Sequence, residues 1–129
     1  MTTQYKLQKD VAGYNGFGLQ FSDLKYSATL AANTEATLTV PSKGSMGAAL
    51  DTVNKFIAVI QVKANISVWL AMNATAAVPA GATFALTTSD LIIGGEYYGV
   101  EVKAGEVMHF ITPTASTEVM VKFYALPAN

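Results

Sequence analysis

Period-two alternation of apolar and polar residues, cut every few positions by Gly, Pro or Asn, is the feature that most limits how this chain can fold. In the last run, Val119, Val121, Phe123 and Ala125 share one side while Met120, Lys122, Tyr124 and Leu126 share the other. Successive side chains of an extended strand point to opposite faces, so such a run is a strand and not an amphipathic helix. Tyr26, Ala28 and Leu30 repeat the pattern after Phe21, and Ala36, Leu38 and Val40 repeat it before Pro41. The four residues between these two runs are short enough for a hairpin connection. Phe56-Ile57-Ala58-Val59-Ile60-Gln61-Val62 is an almost unbroken apolar run, which predicts a strand buried on both faces. Ile66, Val68 and Leu70 resume the alternation after a tight turn at Lys63-Ala64-Asn65, and together these two segments are expected to form the centre of the core. Further strands are predicted over 82–86, 91–93, Tyr97–Lys103, 106–112 and 118–126. A terminal strand that is apolar on both sides is expected to be covered on both, in part by another subunit, with Met120, Tyr124 and Leu126 as the subunit-contact residues.

A small device precedes two of the late strands. Val78-Pro79-Ala80-Gly81 and Val102-Lys103-Ala104-Gly105 share the form Val-x-Ala-Gly, in which the glycine supplies the positive φ of a type II turn. The single helix candidate spans 42–51, with Ser45 as its N-cap and Met46, Ala49, Leu50 and Val53 at helical spacing. About eight or nine short strands at roughly 8–12-residue intervals indicate a sandwich or a barrel. The expected fold is therefore all-β: a jelly-roll-like β-sandwich with one short helix. Residues 1–18 read as an N-terminal arm, since Gly13-Tyr14-Asn15-Gly16-Phe17-Gly18 crowds glycines and aromatics into an irregular stretch, and residues 19–129 read as the sandwich domain.

Composition removes several classes of function. The chain has 129 residues, 51% hydrophobic and only 13% charged, with a formal net charge of −1. It has no long-range field to gather phosphates and no clustered Lys or Arg, so direct nucleic-acid binding is not expected. With no cysteine there are no disulfides, thiolate metal sites or thiol nucleophiles. The polar, Gly-rich start lacks the apolar core of a signal peptide, and no run approaches the ~20 apolar residues of a membrane span, so synthesis in a cytosol-like compartment and no membrane partner are expected. The sequons at Asn65 and Asn73 then read as chance.

Catalytic constellations are thin. The only imidazole, His109, sits within an apolar strand, where a structural or interface role is expected. Gly44-Ser45-Met46-Gly47 lacks the spacing of a nucleophile elbow. Glu96, Glu101, Glu106 and Glu118 could in principle supply a glycosidase pair, but their turn and strand-edge neighbours indicate solvated surface charges. One His and no Cys leave at most a carboxylate calcium site, and the glycines at 13–18 do not follow a strand and open a helix as a phosphate cradle must. No enzyme activity, metal or cofactor is therefore expected. The one alternative with chemistry behind it is a ligand platform for a sugar ring built from Trp69, Tyr97 and Tyr98, as in a carbohydrate-binding or adhesin-type sandwich at a fibre or tail tip.

The stretches Trp69 to Gly81, Val102 to Val107 and Val119 to Leu126 resemble the small structural proteins of tailed-bacteriophage virions, in particular the capsid decoration or cement proteins. The resemblance lies in Ala/Thr-rich strands, few charges, no cysteine, a polar N-terminal arm and the Val-x-Ala-Gly turn. It covers roughly residues 55–126 and contains no diagnostic motif. It implies a β-rich virion protein, made in the host cytoplasm, that sits on the capsid surface as a homo-oligomer, most often a trimer. Such a protein bridges neighbouring copies of the major capsid protein and stabilises the icosahedral shell. On this view the arm would order on the shell, and by their chemistry Tyr5, Leu7, Tyr14 and Phe17 are the capsid-contact candidates.

Overall fold

A computed structural model describes Ser22 and residues 24–42 and 54–126 of the chain. These residues form eight strands: β1 (Lys25–Leu30), β2 (Ala36–Thr39), β3 (Lys55–Val62), β4 (Ser67–Met72), β5 (Ser89–Ile93), β6 (Tyr97–Lys103), β7 (Val107–Ile111) and β8 (Thr117–Ala125). No helix occurs among the described residues. The helix expected over 42–51 lies, beyond Ser42, outside them, as does the arm over 1–18. The strands build two four-stranded antiparallel sheets, in the orders β1-β8-β3-β6 and β2-β7-β4-β5. Their inward side chains join in one hydrophobic core, a sandwich-like arrangement in which each sheet covers the apolar face of the other.

Every connection except β4 to β5 carries the chain from one sheet to the other. The segment 31–34 is therefore not a hairpin, because β1 and β2 lie at the ends of different sheets. Lys63-Ala64-Asn65 is a tight turn, but it hands the chain from β3 in one sheet to β4 in the other. Such corners must reverse the backbone within a few residues, and each of the five short ones contains one left-handed residue: Asn33, Asn65, Gly95, Gly105 and Ser116. Asparagine and glycine tolerate that region best, which is why loop length alone does not separate a hairpin from a corner. Gly105 thus behaves as the Val-x-Ala-Gly device predicts, with φ +85°. Gly81 does not, since among the described residues the glycines with positive φ are Gly95 and Gly105.

The core is centred on β3 and β8, neighbours in the first sheet. Phe56 lies opposite Ala125, and Ala58 lies opposite Phe123, so a large side chain faces a small one at both positions. The rings of Phe56 and Phe123 meet edge to face at 5.9 Å between centroids, and Tyr26 of β1 approaches Phe123 in the same way at 5.7 Å. The second sheet supplies Val68, Leu70, Ile92, Met108 and Phe110 to the same core. As predicted, β3 is largely buried on both faces: Phe56, Ala58 and Ile60 inward, and Val59 on the outer side. Ser22, ahead of β1, is buried as well and donates its hydroxyl to the Phe123 carbonyl at 2.6 Å, which ties the entry of the sheet to its central strand.

The strand expected over 82–86 does not form. These residues belong to the loop that joins β4 to β5. Phe84 and Leu86 alternate as strand residues do, yet both are wholly exposed, at 105% and 104%. The β4–β5 ladder stops at the Ala71–Ser89 pair, and from there the loop leaves the sheet.

The two corners at the end of the molecule nearest β5 interlock through Gly94, whose N–H donates to the Ile66 carbonyl at 2.8 Å. A Cβ at Gly94 would lie 1.9 Å from the Lys63 carbonyl oxygen, whereas one at Gly81 would meet nothing within 4 Å. Gly94→Ala is expected to destabilise the fold by roughly 1–3 kcal/mol in urea unfolding, because backbone rather than a flexible side chain must move. Gly81→Ala is expected to stay within about 0.5 kcal/mol of the parent. Equal unfolding midpoints for the two variants would contradict the interlocked corners.

Candidate interaction surface

The outer face of the β2-β7-β4-β5 sheet is unusually apolar for a surface. Leu91 of β5, Trp69 of β4 and Ile111 of β7 are direct cross-strand partners and so form one row. Strand alternation places them there, because their neighbours Ile92, Val68, Leu70 and Phe110 are in the core. Leu91 and Ile93 are exposed, while Trp69 and Ile111 are half-buried. Ser89, Ala71, His109 and Thr37 make the next row across the four strands.

A polar staple fastens the β4–β5 loop to this second row. His109 Nδ1–H donates to Glu35 Oε1 at 2.8 Å, and Glu35 Oε2 accepts the Ala76 N–H at 2.8 Å. An ionised carboxylate can only accept, which sets the histidine nitrogen as the donor. The Ala77 N–H donates to Ser89 Oγ at 3.0 Å, and the Ser89 N–H to Thr87 Oγ1 at 3.1 Å. The base of the loop is therefore pinned at both ends, and Phe84 and Leu86 project from between the pins. From Asn73 to Ser89 the chain carries no charged residue. The hydrogen bond from His109, and then that from Ala76, hold the Glu35 carboxyl below its ordinary value of 4.5, against the opposing effect of burial.

Where the structure engages the other candidate chemical groups, it does so in structural contacts. Glu106 accepts from Asn73 Nδ2 at 2.8 Å and from the Lys103 N–H at 2.6 Å, while the Val107 N–H donates to Asn73 Oδ1 at 2.9 Å, a clamp that closes the β6–β7 corner on the end of β4. Glu101 pairs with Lys55 at 3.4 Å on the surface. Among the described residues no three His, Asp or Glu side chains converge to hold a metal ion. Nor is any helix among them long and apolar enough to cross a membrane.

Trp69, Tyr97 and Tyr98 are not brought together. Tyr97 and Tyr98 are consecutive in β6, so they point to opposite sides of the other sheet: Tyr97 outward and exposed, Tyr98 against the core. Trp69 lies on the outer face of the sheet across the core. Of the proposed subunit contacts, Tyr124 is already buried within the single chain, and its hydroxyl is held above its ordinary range by burial and by the nearby Tyr97. Met120 and Leu126 are half-buried and keep surface to offer. The candidates Tyr5, Leu7, Tyr14 and Phe17 lie outside the described residues.

Two hollows flank β1. The larger is an open groove of about 680 Å³ whose described lining includes Gln61, Lys63, Glu118 and Met120 and no aromatic ring. The smaller, about 190 Å³, lies between β1 and β2 and is almost wholly apolar, lined by Tyr26, Ala28, Leu38, Phe110, Val119 and Val121 among others. Sequence reasoning missed this hollow and the projecting loop. The loop's signal was present in its uncharged run of seventeen residues from Asn73 to Ser89, but residues 82–86 within it read as a strand. Compared with protein families, curated proteins and solved structures, the chain matches none.

Because the folded-state pKa of Glu35 is lowered, its contribution to stability is present above the ordinary carboxylate value of 4.5 and is lost as pH falls through the lowered one. In thermal melts followed by circular dichroism, the parent is expected to exceed Glu35→Gln near neutrality. The two should converge on acidification below that value. Melting curves that stay parallel at all pH values would show that the staple does not form in solution.

Proposed function

We propose that this chain is a virion structural protein that decorates and stabilises an icosahedral phage capsid, associating with copies of itself, most simply as a trimer, and bridging major capsid subunits. The observation that carries the contact role is the pair of wholly exposed apolar side chains, Phe84 and Leu86, on a pinned and uncharged loop beside an apolar sheet face. Monomeric proteins rarely leave contiguous apolar surface to water, and such patches mark protein contacts. The capsid as partner is supported by the resemblance of the Ala/Thr-rich strands and the Val-x-Ala-Gly turn to decoration proteins. The jelly-roll reading of the fold is supported by the order β1-β8-β3-β6 against β2-β7-β4-β5 of the described strands, an order compatible with an eight-stranded jelly roll, an architecture of capsid and lectin domains alike. Fold alone therefore does not separate a shell protein from a sugar binder. The sugar-binding alternative loses its platform when Trp69 and the tyrosines occupy different sheets.

Low charge suits such a role. With 13% charged residues, the chain meets a shell through shape and dispersion, and an oligomer seated at several points gains from effective concentration without any strong single contact. The test is co-sedimentation with shells built from the major capsid protein of the same genome, both before and after expansion. The protein is expected to pellet with expanded shells and to have three times the chain mass in solution by sedimentation equilibrium. A monomer that stays in the supernatant with both shells would overturn the proposal.

A further inference from the structure

The core is unfinished at one edge. Tyr26 and Ala28 of β1 share the side of that strand that carries Leu30 into the core, and their partners across the ladder, Val121 and Val119, are buried. Yet Ala28 is exposed and Tyr26 is 39% exposed. On the facing sheet, Ala36 and Leu38 of β2 only half cover their side of the gap. The result is the 190 Å³ apolar hollow, open between the two sheet edges and with no charged residue in its described lining. An apolar cavity of ~150 Å³ is large enough to take a benzene ring.

The same chain carries the complementary shape. Phe84 and Leu86 are wholly exposed, and no contact covers them among the described residues; two residues apart, they come to one side with about 7 Å between them when the segment is extended. Their loop is anchored at Ala76, Ala77 and Ser89 on the outer face of the second sheet, whereas the hollow opens between the sheets at the β1/β2 edge. We propose that Phe84 of one copy seats in the hollow between β1 and β2 of a second copy, with Leu86 packing on the rim at Tyr26. Knob and hole are then different surfaces of the chain, so the contact is head to tail. It closes into a ring when the rotation per subunit divides a full turn. The inference rests on the self-association in the proposed function and names the contact that produces it. A second copy is the occupant favoured here because the described residues of both surfaces are uncharged, the hollow is of a size to take one aromatic ring, and the described residues of the same chain leave both surfaces open.

Sedimentation velocity over a range of protein concentrations, on three proteins, tests this. The parent is expected to associate as concentration rises. The double variant Phe84→Ala/Leu86→Ala, altered only at wholly exposed positions, is expected to lose association by at least roughly 100-fold while melting at the parent's temperature. Ala28→Trp, which fills the hollow from within, is expected to be monomeric as well. Mixing these two variants is expected to restore a one-to-one pair, because the first keeps an intact hole and the second an intact knob. If the loop variant associates as strongly as the parent, the knob-in-hole contact is wrong while self-association stands. A parent that is monomeric at every concentration overturns both. A loop variant that melts several degrees lower as a monomer overturns the contact, because the knob would then be filling the hole of its own chain.

Discussion

Everything in this fold depends on the meshing of β3 with β8. Phe56 over Ala125 and Phe123 over Ala58 give two reciprocal large-to-small contacts within one strand pair, and the two rings close edge to face above them. β8 also carries β1, and β3 carries β6, so the first sheet is assembled outward from this pair. The second sheet has its apolar side chains buried only because that surface exists to receive them. Truncating a buried Phe costs ~3–5 kcal/mol, against a net stability of ~5–15 kcal/mol for a domain of this kind. Loss of either ring would therefore remove a large part of what holds the chain folded.

Crossing connections explain both the economy of the fold and where it stays open. Sending the chain from sheet to sheet at nearly every turn buries most inward positions with very short corners, held by residues such as Asn65 and Gly105 in the left-handed region. The one connection within a sheet, β4 to β5, runs over 73–88 and is long, as is the crossing from β2 to β3 over 40–54, most of which lies outside the described residues. The base of the β4–β5 loop is held by the His109–Glu35 staple, and its middle carries the exposed Phe84 and Leu86. Surplus apolar surface thus collects in the loop and along the Leu91–Trp69–Ile111 row, while a deficit of packing collects between β1 and β2. In a chain with little charge, these are the features through which contacts with other molecules can be made.

Much of the architecture was legible in the alternation. The bounds of β6 are those expected, β8 differs by one residue at each end, and the two-faced burial of β3 follows from its apolar run. Alternation records which side of a strand is apolar, not what lies against that side. For this reason residues 82–86 read as a strand, the 31–34 connection read as a hairpin, and Tyr124 read as a subunit contact although its own chain buries it. Trp69 and Tyr97-Tyr98 were grouped as a platform by residue type, whereas pairing between distant segments assigns them to different sheets. The hollow at β1 and β2 could not be read at all, since it arises from the separation of two sheet edges joined by no ladder. Glu35 and His109 are 74 residues apart, and nothing in either neighbourhood signals the other.

Residue-resolved amide hydrogen exchange at low and high protein concentration reaches the central claim most directly. A core built on β3 and β8 and completed at its open edge by a second copy predicts that amides of these two strands exchange slowest at every concentration. Protection along β1 and β2 should then rise as copies associate. Maximal protection of β1 and β2 in the dilute monomer, or protection there that does not change with concentration, would contradict it.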